Sequence, residues 1–221
     1  MSITRIAACF GAVLLLAAPA LAEVQVSAYG GMNTNFDSRV STKKGTVHDS
    51  RNVGWDGASD EPPPYWGVRA TYWFPDHNPW GVAFDYAHTK AVADLNYATD
   101  PTYSHLQFTD GNNIFTINAM YRFKQPDTKW SYYVGAGAGV AVPDTEVTLK
   151  AYPAQVTNEY ELAGPAAQVL GGVQYNLTQH WATFAEAKLS YSHLEGDLNG
   201  GGSVKTNLWS PQAALGVSYG F

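Results

Sequence analysis

The sequence predicts an all-β fold, an eight-stranded antiparallel up-and-down transmembrane β-barrel, and three observations predict it. Ala213, Leu215, Val217, Tyr219 and Phe221 put an apolar or aromatic side chain at every second position up to the last residue. Strict alternation gives a strand one apolar face and one polar or small face, here Gln212, Ala214, Gly216, Ser218 and Gly220. Connections alternate short and long, as in barrels with tight periplasmic turns and long outer loops. Finally, 14 Tyr, 9 Phe and 7 Trp are a heavy aromatic share, and many flank the short turns, where an interfacial girdle would sit.

The N-terminus is expected to be an export signal over 1–22. Arg5 precedes the apolar run Ile6 to Leu16, and Ala20-Leu21-Ala22 supplies the small residues a signal peptidase reads. The run is shorter than the roughly 18 apolar residues of a spanning helix. The barrel domain is then 23–221. Cys9, ahead of the cleavage site, is the only cysteine, which excludes disulfides, thiolate metal sites and cysteine nucleophiles from the mature chain. Removing Arg5 from the 13 Lys and Arg leaves 12 against 19 Asp and Glu, and no basic block suits nucleic acid. In an anionic lipopolysaccharide leaflet such a chain needs local cations or divalent ions.

The eight strands are predicted at 23–36, 64–75, 80–90, 107–123, 130–142, 159–175, 181–194 and 206–221. Pro75 to Pro79, Lys124 to Lys129 and Asn176 to His180 read as the tight turns. The long outer loops are then 37–63, 91–106, 143–158 and 195–205. Tyr72, Trp73, Phe74 and Trp80 flank the first turn, Tyr121, Phe123, Trp130 and Tyr132 the second, Tyr175 and Trp181 the third. A lipocalin-like barrel would turn its apolar alternation inward and would not stack aromatics at one end.

The inward register carries Arg69, Asp85, Asn118, Arg122, Glu186 and Lys188, with Gly135, Gly137 and Gly139 making room on the fifth strand. Eight strands leave a lumen just wide enough for side chains, so Arg69, Asp85, Glu186 and Lys188 are expected to pair as a structural lumen network, and a diffusion pore is not expected. His88 and Lys90 continue the outward row Trp80, Val82, Phe84, Tyr86, while His193 and Glu195 continue Leu189 and Tyr191; both rows end near lipid head groups. Metal-ligand fragments are His48-Asp49, Asp85 with His88, His105 with Asp110, and His193 with Glu195, none specific alone. For acyl hydrolysis, His48 and Ser50 with Glu61 are the nearest Ser/His/acid grouping.

Several stretches carry a further likeness: Gly54 to Gly57, Pro62 to Trp73, Asp85-Tyr86-Ala87-His88-Thr89-Lys90, Phe108-Thr109-Asp110-Gly111-Asn112-Asn113, Tyr133 to Gly137 running to Val142-Pro143, Leu162 to Ala166, and Gly200 to Thr206. In these the chain resembles the outer-membrane lipid A oxidases of rhizobial-type Gram-negative bacteria, across essentially the whole mature length. The resemblance implies an enzyme that oxidises the proximal glucosamine of lipid A to 2-aminogluconate, consuming dioxygen and releasing hydrogen peroxide, with a divalent metal of unspecified identity. It implies lipid A as partner, and the terminal Phe221 fits delivery by the barrel-assembly machinery. Under this resemblance Asp85, His88 and Asp110 are the catalytic candidates and, with Asp144, the metal candidates; Arg69 and Lys90 are the candidates for substrate phosphate or sugar. Asp144 follows the Val-Pro where that family carries a His, and suits a hard cation. No flavin or haem motif is present, so dioxygen would need a transition metal or a substrate anion that gives electrons directly. Asp85 and His88 differ in parity, so joint action requires a bulge. The alternatives are a non-catalytic barrel that stabilises the envelope or presents loops, and a lipid A deacylase.

Overall fold

A computed structural model describes residues 23–75, 78–125 and 127–221, except the side chains of residues 109 and 110. The expected signal peptide, and positions 76, 77 and 126 within two of the expected turns, lie outside the described residues. The described residues form twelve strands: β1 (Glu23–Asn33), β2 (Ser38–Lys44), β3 (Val47–Val53), β4 (Trp55–Asp56), β5 (Trp66–Trp73), β6 (Trp80–Ala93), β7 (Tyr103–Lys124), β8 (Trp130–Leu149), β9 (Thr157–Tyr160), β10 (Gly164–Asn176), β11 (Trp181–Asp197) and β12 (Ser203–Gly220). Eight of them, β1-β5-β6-β7-β8-β10-β11-β12, form an antiparallel ring that closes where Val26 pairs Tyr219 and Met32 pairs Ala213. Closure leaves this ring no free edge.

The wall sorts by parity. Trp80, Val82, Phe84, Ile117, Val169, Leu215 and Val217 are exposed on the outside, while Gln25, Ser27, Thr71, Thr116, Asn118, Gln168, Gln212 and Ser218 are buried within. Apolar outside and polar inside suits a wall bathed in hydrocarbon. Rings pair beside the short turns, Trp80 with Tyr121 at 4.9 Å, Trp130 with Tyr175 at 4.7 Å and Trp181 with Tyr219 at 5.0 Å. A Cβ at Gly137 or Gly139 would run into the Ile117 or Phe115 carbonyl of β7, so β8 lies against β7 only as glycine.

The outer half departs from the expected loops. Residues 37–63 hold a β2–β3 hairpin that extends the sheet from β12, and β4 pairs the end of β6. β8 runs on to Leu149, where a loop was expected from 143, and β9 pairs it. β6 likewise continues to Ala93 and β7 begins at Tyr103, which shortens the expected 91–106 loop. The barrel therefore continues above the lipid band, around a second apolar core that includes Val40, Trp55, Tyr103, Leu106, Phe108, Val147, Leu194 and Leu208. A lower cluster of Tyr29, Tyr65, Trp73, Met120, Tyr133 and Phe184 fills the lumen nearer the periplasmic end.

Candidate functional site

In the lumen, four charged side chains from four strands meet. Arg69 donates from Nε to Asp85 at 2.5 Å and from both Nη atoms to the Glu186 carboxylate at 2.7 Å each. Lys188 Nζ donates to Asp85 at 3.1 and 3.2 Å and to the Tyr29 hydroxyl at 2.6 Å, while Tyr29 donates to Asp85 at 2.7 Å. Two cations and two anions, each at most 5% exposed, neutralise one another. Arg69 and Asp85 are thus fully engaged inside the wall, with no face turned to a substrate at the rim.

The outer rim is organised by two interruptions of pairing on either side of one strand. The β6–β7 register shifts between Thr89 and Ala91, and the β7–β8 register shifts between Gln107 and Asn112. Across these shifts His88 pairs Asn113, Thr89 pairs Asn112, Asn113 pairs Val142 and Asn112 pairs Pro143. The strand backbone therefore brings His88, Asp110 and Asp144 into one neighbourhood. Asp110 lies within the second interruption, and its side chain is outside the described residues.

His88 has outward parity but is only 5% exposed, so the open, lipid-facing imidazole expected from parity is corrected. Trp66 stacks on it, its Nδ1 lies 3.1 Å from Asn113 Oδ1, and Tyr86 donates to that same amide oxygen at 2.7 Å. Gly111 has φ +117°, and a Cβ there would stand 2.5 Å from the imidazole. Lateral pairing runs from Tyr132, near the inner girdle, through Val173, Ala185, Leu215, Gly30 and Trp66 up to His88, so the imidazole stands where the lipid-facing wall reaches the rim.

Lys90, expected at the exposed edge, is 2% exposed: its ammonium donates to the Glu61 carbonyl at 3.1 Å. Asp144 is 2% exposed and pairs Tyr160 of β9. Nearby, burial raises the Glu161 carboxyl above its ordinary range, aided by the charges of Asp197 and Glu159. His105 approaches Glu146 at 3.5 Å, and His193 and Glu195 bind Asn207 at 2.7 Å and Lys205 at 2.5 Å. Ser50 meets the Ser41 hydroxyl at 3.0 Å and the Arg39 guanidinium, with no imidazole among its hydrogen-bond partners. Among the described residues, which leave out the Asp110 side chain, no three His, Asp or Glu side chains gather closely enough to hold a metal.

Trp66, Tyr86, Gly111 and Asn113 around His88 were not singled out as site residues from the sequence. Their signal was faint but present, since the likeness includes 65–73, 85–90 and 108–113.

The family model described as "Outer membrane protein beta-barrel domain" matches residues 8–221. Among solved structures, the chain is similar to Neisserial surface protein A (19% identity, TM-score 0.45, covering 90% of this chain and 96% of that one). It is also similar to the N-terminal β-barrel domain of Pseudomonas aeruginosa OprF (17%, TM-score 0.48, 90% and 97%) and to Ail, the attachment invasion locus protein of Yersinia pestis (20%, TM-score 0.41, 91% and 99%). No curated protein matches the sequence.

Proposed function

We propose that this chain, which belongs to the outer membrane protein β-barrel domain family and is located in the outer membrane of a Gram-negative cell, is an oxidase acting on lipid A. One observation carries the reading. The segments 85–90, 108–113 and 142–143, scattered along the sequence and all part of the likeness to lipid A oxidases, meet side by side at the paired register shifts. A barrel that only spans the membrane has no need of an imidazole, two carboxylate-bearing positions and an Asn pair, one buried and one half-buried, at one point of its rim.

The reaction class sets the substrate's form. Oxidation of glucosamine to 2-aminogluconate starts from a free anomeric hydroxyl: the C1 hydroxyl loses its proton, C1–H gives up two electrons to dioxygen, the lactone and hydrogen peroxide form, and water opens the lactone to the acid. His88, whose ring is oriented by Asn113, is the base for the hydroxyl proton. Trp66, stacked on the imidazole, supplies an apolar shoulder for the lipid.

The test is mass spectrometry of lipid A from a heterologous host whose lipid A lacks the anomeric phosphate, with the wild-type gene, with His88→Gln, and without either. A gain of one oxygen on the proximal sugar that vanishes in His88→Gln supports the oxidase. Loss of an acyl chain supports deacylation instead. Unchanged lipid A favours the second reading, a non-catalytic envelope barrel, which the self-neutralised lumen quartet supports because it leaves Arg69 and Asp85 no outside task.

A further inference from the structure

Lys90 stands two residues beyond His88 with the same outward parity, yet it is buried, and its ammonium meets the Glu61 carbonyl. Glu61 belongs to the segment 58–65 that leads into β5. Its ends are fastened: the Asn33 N–H donates to Ser59 Oγ at 2.8 Å, and the Tyr65 hydroxyl donates to Gln212 Oε1 at 2.9 Å inside the lumen. The middle is not. Pro62, Pro63 and Pro64 have no N–H, and the Glu61 N–H turns back to the Ala58 carbonyl at 3.2 Å. Among the described residues, the one hydrogen bond from 60–64 to the barrel wall is the Lys90 ammonium to the Glu61 carbonyl, and Asp60, Glu61, Pro62 and Pro64 are exposed.

An ammonium carries three donors, and among the described residues a single neutral carbonyl accepts from it. No ion pair among the described residues includes Lys90. A cation withdrawn from water without an anion is costly, and an oxyanion would relieve that cost where a carbonyl does so only in part. Asn33 and Asn35 fix the backbone at this point, both donating to the Lys90 carbonyl, at 2.9 and 2.8 Å, so the ammonium is presented from a rigid base.

We propose that residues 60–64 are a displaceable cover and that Lys90 beneath them is an anchor for a phosphate monoester of a lipid head group. An incoming phosphate takes the ammonium from the Glu61 carbonyl and repels the Asp60 and Glu61 carboxylates, so binding and lifting of the cover are one event. The identity of the lipid rests on the lipid A reading above. Because that chemistry needs the anomeric hydroxyl free, the phosphate held by Lys90 belongs to another position of the head group.

The test uses the full chain in zwitterionic vesicles and reads amide hydrogen exchange at Asp60, Glu61 and Tyr65. Three probes are compared: lipid A phosphorylated only on the distal sugar, the same lipid without phosphate, and inorganic phosphate alone. The phosphorylated lipid is expected to speed exchange about tenfold, with binding about tenfold weaker in Lys90→Met and kept in Lys90→Arg. Equal opening by inorganic phosphate supports the anchor and assigns it to the free ion as well. Equal opening by the phosphate-free lipid, or no opening by any probe, overturns it. If Lys90→Met does not fold, as judged by heat-modifiable gel mobility, the wild-type exchange decides. A chain that opens to phosphate yet leaves lipid A unoxidised would sink the oxidase and spare the cover.

Discussion

Glu186 shows what a single buried side chain does for this barrel. It accepts two hydrogen bonds from Arg69 with almost no exposure to solvent, so Glu186→Ala leaves a guanidinium facing one remaining carboxylate that Lys188 already shares. Breaking a buried pair from one side costs about 3–5 kcal/mol, and urea unfolding in lipid vesicles, followed by tryptophan fluorescence, is expected to register that loss. Arg69→Met with Glu186→Met leaves Asp85 with Lys188, a balanced pair, and should recover most of it. Asp100 makes a second prediction, above the membrane. Burial alone would raise its carboxyl, but Arg51 at 2.6 Å and the N–H groups of Thr102 and Tyr103 hold it below the ordinary range. A lowered folded pKa stabilises above the unfolded value, about 3.9, and that stability is lost as pH falls through the folded value. Hydrogen exchange at residues 97–103 should therefore accelerate below about pH 4 in the wild type and respond far less in Asp100→Asn. Parity in the sequence placed Arg69, Asp85, Glu186 and Lys188 on the inward face, because a strand alternates by simple geometry. It could not show that His88 and Lys90 are covered, since the covering groups, Trp66 with Gly111 and the 58–65 segment, come from elsewhere in the chain.

At the scale of elements, the wall strands were legible and the outer tier was not. Trp80 to Tyr86 or Ala213 to Phe221 announce themselves by alternation against lipid. The hairpin strands, Ser-Arg-Val-Ser-Thr-Lys-Lys and Val-His-Asp-Ser-Arg-Asn-Val, have polar side chains on both faces in all but a few places, so they read as loop. They form strands because β12 offers its outer edge at Ser203 to Lys205, and because Val40 and Val53 drop into the upper apolar core. The register shifts were equally hidden, although the different parities of Asp85 and His88 asked for one. Gly111 is the element-scale test. Alanine there meets both a positive φ and the His88 ring. Gly111→Ala is expected to displace the imidazole, seen as a shifted His88 NMR resonance, and to lower lipid A oxidation at least tenfold, while gel mobility still reports a folded barrel.

For the whole molecule, the inside-out sorting of the wall and the stacked fillings of the lumen make a plugged cylinder. A polar quartet and aromatic cluster lie below, and a mixed aliphatic and aromatic core lies above. Such a cylinder conducts no solutes, and planar-bilayer recordings should show no steady channel. Its orientation follows from loop lengths. With no cysteine in 23–221, Ser50→Cys should react with a membrane-impermeant maleimide on intact cells and Thr128→Cys only after the outer membrane is opened. The proposed turnover of lipid A with dioxygen belongs to the rim where β6, β7 and β8 lose register. It is tested most directly by incubating the purified chain in vesicles containing lipid A with a free anomeric hydroxyl, then measuring peroxide release alongside the mass of the lipid. One peroxide is expected for each lipid that gains an oxygen, with a rate at least about a hundredfold lower for His88→Gln. Lipid A that stays unaltered with the folded wild-type protein, or oxidation that proceeds undiminished in His88→Gln, would contradict it.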